Sequence, residues 1–245
     1  MLSPAKRVLL YRAFKPSHVP GLVLDCDAIN ISGAADSAVA TFPDRSGWVN
    51  HPVQGTGASQ PLLKEGIVAG KPVLRVDGID DFMTTPLTHS WSTAGWSLFV
   101  VARAGSPAAA FRGLVGNRFG AGAANWWTLG INNNVPGTVV LETPGGVQSS
   151  FGFDAYGQGF QIYEVITTSP SSISLYRNGA LALTAAPGGS IGDVTNEVYI
   201  GRWYEAAQIW ADDIAAIVMY TRVPSVRERI RVERYLGNRY GVAIS

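Results

Sequence analysis

Cysteine is nearly absent: Cys26 stands alone in 245 residues, so no intrachain disulfide can form and the core must hold by packing. Histidine is scarce too. His18, His51 and His89 lie far apart, and none sits four residues from another beside an acid, as a helical zinc site needs. Long apolar runs are missing; Val8-Leu9-Leu10 is the longest stretch before Tyr11, too short for a signal-peptide core, and nothing approaches a membrane span. These absences predict synthesis and folding in a cytoplasm, with no membrane partner. The sole G-x-S-x-G match, Gly188 to Gly192, continues through Asp193-Val194-Thr195 into an apolar strand rather than a helix, so it is not a nucleophile elbow.

Charge is sparse and uneven. Charged residues make up 15% of the chain and the net charge is +1. Residues 1–24 and 222–245 contribute +4 each, leaving −7 to the middle. Short basic ends of this kind usually form solvated surface, so nucleic acid is not an expected partner. Residues 1–20, interrupted by Pro4, Pro16 and Pro20, read as a basic arm. Such a tail is ordered only when docked, and the partners expected for it are other chains of an assembly.

What is present reads as one all-β unit. Short apolar stretches recur between Gly- and Pro-rich turns: Gly21 to Leu24, Ser97 to Arg103, Gly113 to Asn117, Trp126 to Ile131, Thr138 to Glu142, Phe160 to Thr167, Glu197 to Arg202 and Asp213 to Thr221. Asn178-Gly179 between Ser172–Tyr176 and Ala180–Thr184 predicts a tight hairpin. Residues 30–60 read as a loop. The spacing predicts a two-sheet antiparallel sandwich over 21–245. A helix closes the chain over 225–240, capped by Ser225 with Glu228 and ended by Gly237 or Gly241.

The stretch Lys71 to Met83 organises the rest: Pro72 opens a strand, Asp77-Gly78 turns the chain, and Phe82-Met83 starts a second strand. Gly70 to Phe82 (G-K-P-V-L-R-V-D-G-I-D-D-F), Leu24 to Asp27, Phe42 to Gly47 with Asn50-His51, and Asp213 to Tyr220 together resemble the concanavalin A-like lectin/glucanase superfamily, in its laminin-G-like jelly-roll branch. The resemblance covers roughly residues 21 to 243, with its strong motifs at the two ends. It implies a concanavalin A-like jelly roll with a closing helix. It also implies a structural Ca²⁺ on Asp77, Asp80, Asp81 and Asp213, although Ala216 replaces the glutamate usual in the closing strand.

The superfamily's glucanases take their acid and nucleophile from an E-x-D-x-E strand. Here Glu142, Glu164 and Glu197 each stand alone, so no catalytic residue is assigned and no enzyme is expected. Aromatic residues point instead to binding. Trp126-Trp127 would face opposite sides of a strand, and Arg202, Trp203, Tyr204, Glu205 and Trp210 gather in one loop, which suits a glycan's apolar face and polar rim. The expected function is a structural or adhesion component of a tailed-bacteriophage virion that contacts cell-surface glycans as part of an oligomer or larger assembly. The alternative is a stand-alone carbohydrate-binding or glycoside-hydrolase-like protein.

Overall fold

The computed structural model describes residues 14–87, 95–105, 111–118, 126–132, 137–169, 171–189, 191, 197–204 and 208–245. Residues 1–13 of the basic arm, His89, Ser190 and Gly192 of the glycine-serine motif, and Glu205 lie outside the described residues.

Two antiparallel sheets pack face to face. The larger runs β12 (Ala180–Ala185), β11 (Ser172–Arg177), β10 (Gln161–Ser169), β5 (Trp96–Ala102), β14 (Ala211–Tyr220), β3 (Lys71–Asp77) and β2 (Leu62–Val68). The long β14 serves two neighbours on one edge: its start pairs with β3 and its end with β1 (Leu22–Asp27). The smaller sheet runs β4 (Met83–Thr85), β13 (Val198–Ile200), β6 (Arg112–Gly116), β7 (Thr128–Ile131), β8 (Thr138–Thr143) and β9 (Val147–Asp154). This is the expected jelly-roll sandwich. The Asp77–Phe82 turn joins β3 of one sheet to β4 of the other, so the organising stretch is a corner of the sandwich and not a hairpin.

The apolar run of β5 is explained by burial on both faces. Leu98 and Val100 enter the core between the sheets, while Phe99 and Val101 face a second core under helix α1 (Val226–Tyr240). That helix contributes Val232, Leu236 and Tyr240. Ser225 and Glu228 form the predicted capping box, and Gly241, at φ 67°, supplies the left-handed cap. Gly237 matters for close approach instead, since a Cβ there would fall 2.7 Å from the Val242 carbonyl oxygen of the returning tail.

The last residues of the expected arm, 14–20, belong to the body. Pro16 and Val19 are buried, and the Tyr220 hydroxyl donates to the Pro16 carbonyl at 3.1 Å. Two strands, β2 and β9, fall outside the segments expected from sequence. Both are interrupted by glycine, at Gly66 and Gly152 with φ near 70°, which breaks the alternating pattern.

Candidate functional site

The outward face of the small sheet carries three parallel rows of side chains, set by strand register. One row is Gly116, Thr128, Glu142 and Gln148; the next is Gly113, Gly130, Val140 and Ser150; the third is Asn132, Thr138 and Asp154. Their partners one residue along, such as Leu129, Ile131, Val139 and Leu141, fill the core.

The glycines shape this face. A Cβ on Gly130 would fall 2.6 Å from the Trp203 ring, so the indole lies directly on the bare backbone, with Phe111 at 5.1 Å centroid distance beside it. Next to this ring, Arg118 is held between Trp126 and Tyr204, its guanidinium carbon 4.0 Å from each ring centre. The Arg118 Nη1 donates to Glu142 Oε1 at 2.8 Å, and Gln148 Nε2 donates to Glu142 Oε2 at 3.4 Å. Gln148 in turn accepts from Asn132 Nδ2, so the network runs across the sheet from β6 to β9 and back to β7. Burial raises the Glu142 carboxyl above its ordinary value, partly offset by Arg118 and Gln148.

Beyond this covered half, the β8–β9 side opens into a cavity of about 410 Å³. Its polar lining is Asn132, Thr138, Gln148, Ser150 and Asp154; Val140, Gly152 and Phe153 complete it. Hydroxyl, amide and carboxylate groups thus surround a small apolar floor.

The sequence-predicted binding residues divide here. Trp127 and Trp210 are core side chains between the sheets, both 0% exposed. Trp126 and Trp203 reach the outward face, as the alternation requires, but stay 2% and 1% exposed beneath their neighbours. The expectation of exposed stacking tryptophans is therefore corrected: Gly130 lets the Trp203 ring sink onto the sheet, and Arg118 covers Trp126. Arg202 and Tyr204 are half-buried, and Arg202 lies over Phe82 and Tyr199 at 4.7 and 5.2 Å. Sequence reasoning missed Arg118, whose partners are distant in the chain, and Gln148, which lies on the unrecognised β9. It also passed over Trp48, 61% exposed, although the preceding Asp44–Gly47 turn was in view.

The four expected metal ligands are not brought together. Asp213 is fully buried and held by two arginines: Arg75 Nε and Nη2 donate to its two oxygens at 2.7 and 2.9 Å, and Arg103 Nη2 donates at 2.6 Å. These guanidinium groups supply the positive charge that a cation would otherwise bring, and Asp213 stands apart from the acids of the Asp77–Asp81 turn. Asp77, Asp80 and Asp81 do place one carboxylate oxygen each within 4.8 Å of one another. One oxygen of each already has a donor. Asp77 Oδ1 accepts the backbone N–H groups of Ile79, Asp80 and Asp81 at 2.8 to 3.3 Å; Asp81 Oδ2 accepts from Asp77 N, and Asp80 Oδ2 from the Ser59 hydroxyl. The geometry is that of a self-capping turn.

Two of the three lone glutamates, Glu142 and Glu164, stand on opposite sides of the sandwich. Glu142 faces outward from the small sheet, while Glu164 lies beneath α1 on the far side of the large sheet, beside Arg229.

No protein-family model matches the chain, and no curated protein matches it in sequence. Among solved structures it is similar to two-sheet binding domains. The binding domain of Paraclostridial Mosquitocidal Protein 1 superposes with a TM-score of 0.68 at 11% identity, covering 91% of this chain and 54% of that one. The receptor binding domain of botulinum neurotoxin D gives 0.63 at 12%, covering 91% and 54%. A Trypanosoma rangeli sialidase, in complex with sialic acid, gives 0.58 at 14%, covering 92% of this chain but only 34% of its own length. The chain thus spans about half of the toxin domains and a third of the sialidase. At these identities the likeness is one of fold: a lectin-like β-sandwich.

Proposed function

We propose that the chain is a non-catalytic carbohydrate-binding module which takes a saccharide along the β8–β9 side of its small sheet. The carrying observation is the cavity over Val140, where Asn132, Thr138, Gln148, Ser150 and Asp154 surround Val140, Gly152 and Phe153. A sugar ring offers hydroxyls at its rim and C–H groups on its faces, and this lining answers both. Support also comes from the sandwich neighbours, which include toxin binding domains and a sialidase bound to sialic acid. Asp154 is the one carboxylate in this lining, and Glu142, which reaches it only through Gln148, is paired with Arg118, so no second free acid stands by it, which speaks for binding rather than hydrolysis. The setting we propose is the surface of a tailed-phage particle, as a decoration, fibre or tail-surface component.

The test is retention of the purified chain on an array of bacterial surface polysaccharides, with Gln148→Ala and Asp154→Asn as variants. Losing one hydrogen bond to a sugar hydroxyl weakens binding by about tenfold. Binding that falls by that order in both variants, without release of reducing sugar, is the expected result. No retained glycan, or equal retention by both variants, overturns the proposal; release of sugar would restore the hydrolase alternative.

A further inference from the structure

The wall of the β8–β9 cavity carries a single formal charge, Asp154, and the fold holds it in place. Asp154 Oδ1 accepts the backbone N–H of Tyr156 at 2.9 Å. A Cβ on Gly137 would collide with that same oxygen, so the carboxylate is seated against bare backbone. Its Oδ2 accepts no hydrogen bond among the described residues. Two hydroxyls stand near it. Ser150 Oγ accepts Gly152 N at 2.9 Å, which leaves the hydroxyl proton free to donate. Thr138 lies directly opposite Asp154 across the two strands, and its hydroxyl has no partner among the described residues.

No cation answers this carboxylate. Among the described residues the wall holds neither lysine nor arginine. Two guanidinium groups touch its neighbourhood and are engaged elsewhere. Arg118 is paired with Glu142 between Trp126 and Tyr204. Arg177 lies 3.9 Å over the Phe153 ring, which turns inward with Phe151 onto Tyr163. The residues outside the described set from 88 onward contain no lysine or arginine either, including 133–136, which follow Asn132 in the chain. The site therefore offers a bound molecule one free anionic acceptor and neutral groups, with no positive charge to set against an acid.

We infer that the cavity takes neutral and amino sugars and rejects acidic ones, and that Asp154 sets this preference, which rests on the proposal of a saccharide site there. A sugar hydroxyl or ammonium can donate to Asp154 Oδ2, and a bond to an ionised acceptor is stronger than one to a neutral group. A carboxylated sugar brings a like charge instead and meets no cation in the wall. The cavity, at about 410 Å³, is small enough that an acid anywhere on a ring inside lies within about one Debye length, ~8 Å, of Asp154. Between the limits for bulk water and a protein surface, repulsion at a few ångströms weakens binding by about tenfold.

The test uses the full chain on an array in which each neutral oligosaccharide is printed beside its amino and its carboxylated counterpart. The wild type should retain the neutral and amino members about tenfold better than the acid at low salt, and the gap should shrink as salt is raised to about 0.5 M. Asp154→Asn keeps an oxygen for Tyr156 N but loses the charge. It should weaken the neutral members while leaving the acidic ones unchanged or better held, so the gap closes. Gln148→Ala should weaken both members of each pair alike and keep the gap. Acidic sugars held as well as neutral ones by the wild type, or a gap that survives Asp154→Asn, overturn the inference and leave the saccharide site standing. An array that retains no sugar at all overturns the saccharide site, and the preference with it.

Discussion

Two tryptophans in this chain have opposite surroundings, and replacing each by alanine should separate them cleanly. Trp203 is 1% exposed, lies on the bare backbone of Gly130 and touches Phe111. Removing its ring leaves a void floored by Gly130, which has no side chain that can move in. Trp→Ala in such a place costs about 3–5 kcal/mol. For a domain of this size each kcal/mol lowers the melting temperature by roughly 2–4 °C, so Trp203→Ala should melt some 6–20 °C below the wild type. Trp48 is 61% exposed, and Trp48→Ala should stay within about 0.5 kcal/mol, or about 2 °C. Differential scanning calorimetry gives both values. A Trp203→Ala melt within about 2 °C of wild type would refute its burial against the glycines. An equally large loss for Trp48→Ala would refute the exposure of that side chain.

Much of the fold is legible in the residues because its signals are local. The Asn178-Gly179 hairpin, the Ser225–Glu228 cap and the apolar β5 each declare themselves within a few positions, and all three are found. What is not legible depends on register between distant strands. Trp126, Glu142 and Tyr204 meet at Arg118 only because β6, β7 and β8 align as they do, and no spacing along the chain encodes that. Tryptophans look like ligand platforms until the facing glycines are known. Gly113 and Gly130 read as ordinary strand interruptions, yet Gly113 admits the backbone at Trp203 and Gly130 its ring. Likewise Asp213 and the Asp77–Asp81 turn lie in neighbouring motifs, but the arginines on β3 and just after β5 claim Asp213 first. The buried Glu164 shows no local signal either, since its partner Arg229 comes from the closing helix.

Two further outcomes follow from these charged groups. In the acidic turn, Asp77 Oδ1 satisfies three backbone N–H groups, so Asp77→Ala should cost about 1–3 kcal/mol, whereas a calcium chelator should leave the wild-type melting temperature unchanged. A chelator-induced drop would show that the turn holds a cation after all. The second concerns Glu164, which is fully buried with Arg229 as its cation and Glu233 as a like charge sharing that same arginine. Burial, then Glu233, pushes its carboxyl well above the ordinary value, while Arg229 acts against them. A carboxyl raised in the folded state binds its proton more tightly there than in the unfolded chain. The stability this gives is therefore full below the unfolded value, about 4.3, and is lost as pH rises from there through the folded value. Glu164→Gln keeps the shape without the ionisation, so it should flatten the decline in urea midpoint as pH rises and should equal or exceed the wild type at neutral pH. Arg229→Ala should do the reverse, costing about 3–5 kcal/mol at neutral pH because two buried acids lose their only shared cation among the described residues. If Glu164→Gln instead lowers the midpoint equally at every pH, Glu164 is already ionised and stabilised by Arg229, and the direction argued from burial is wrong.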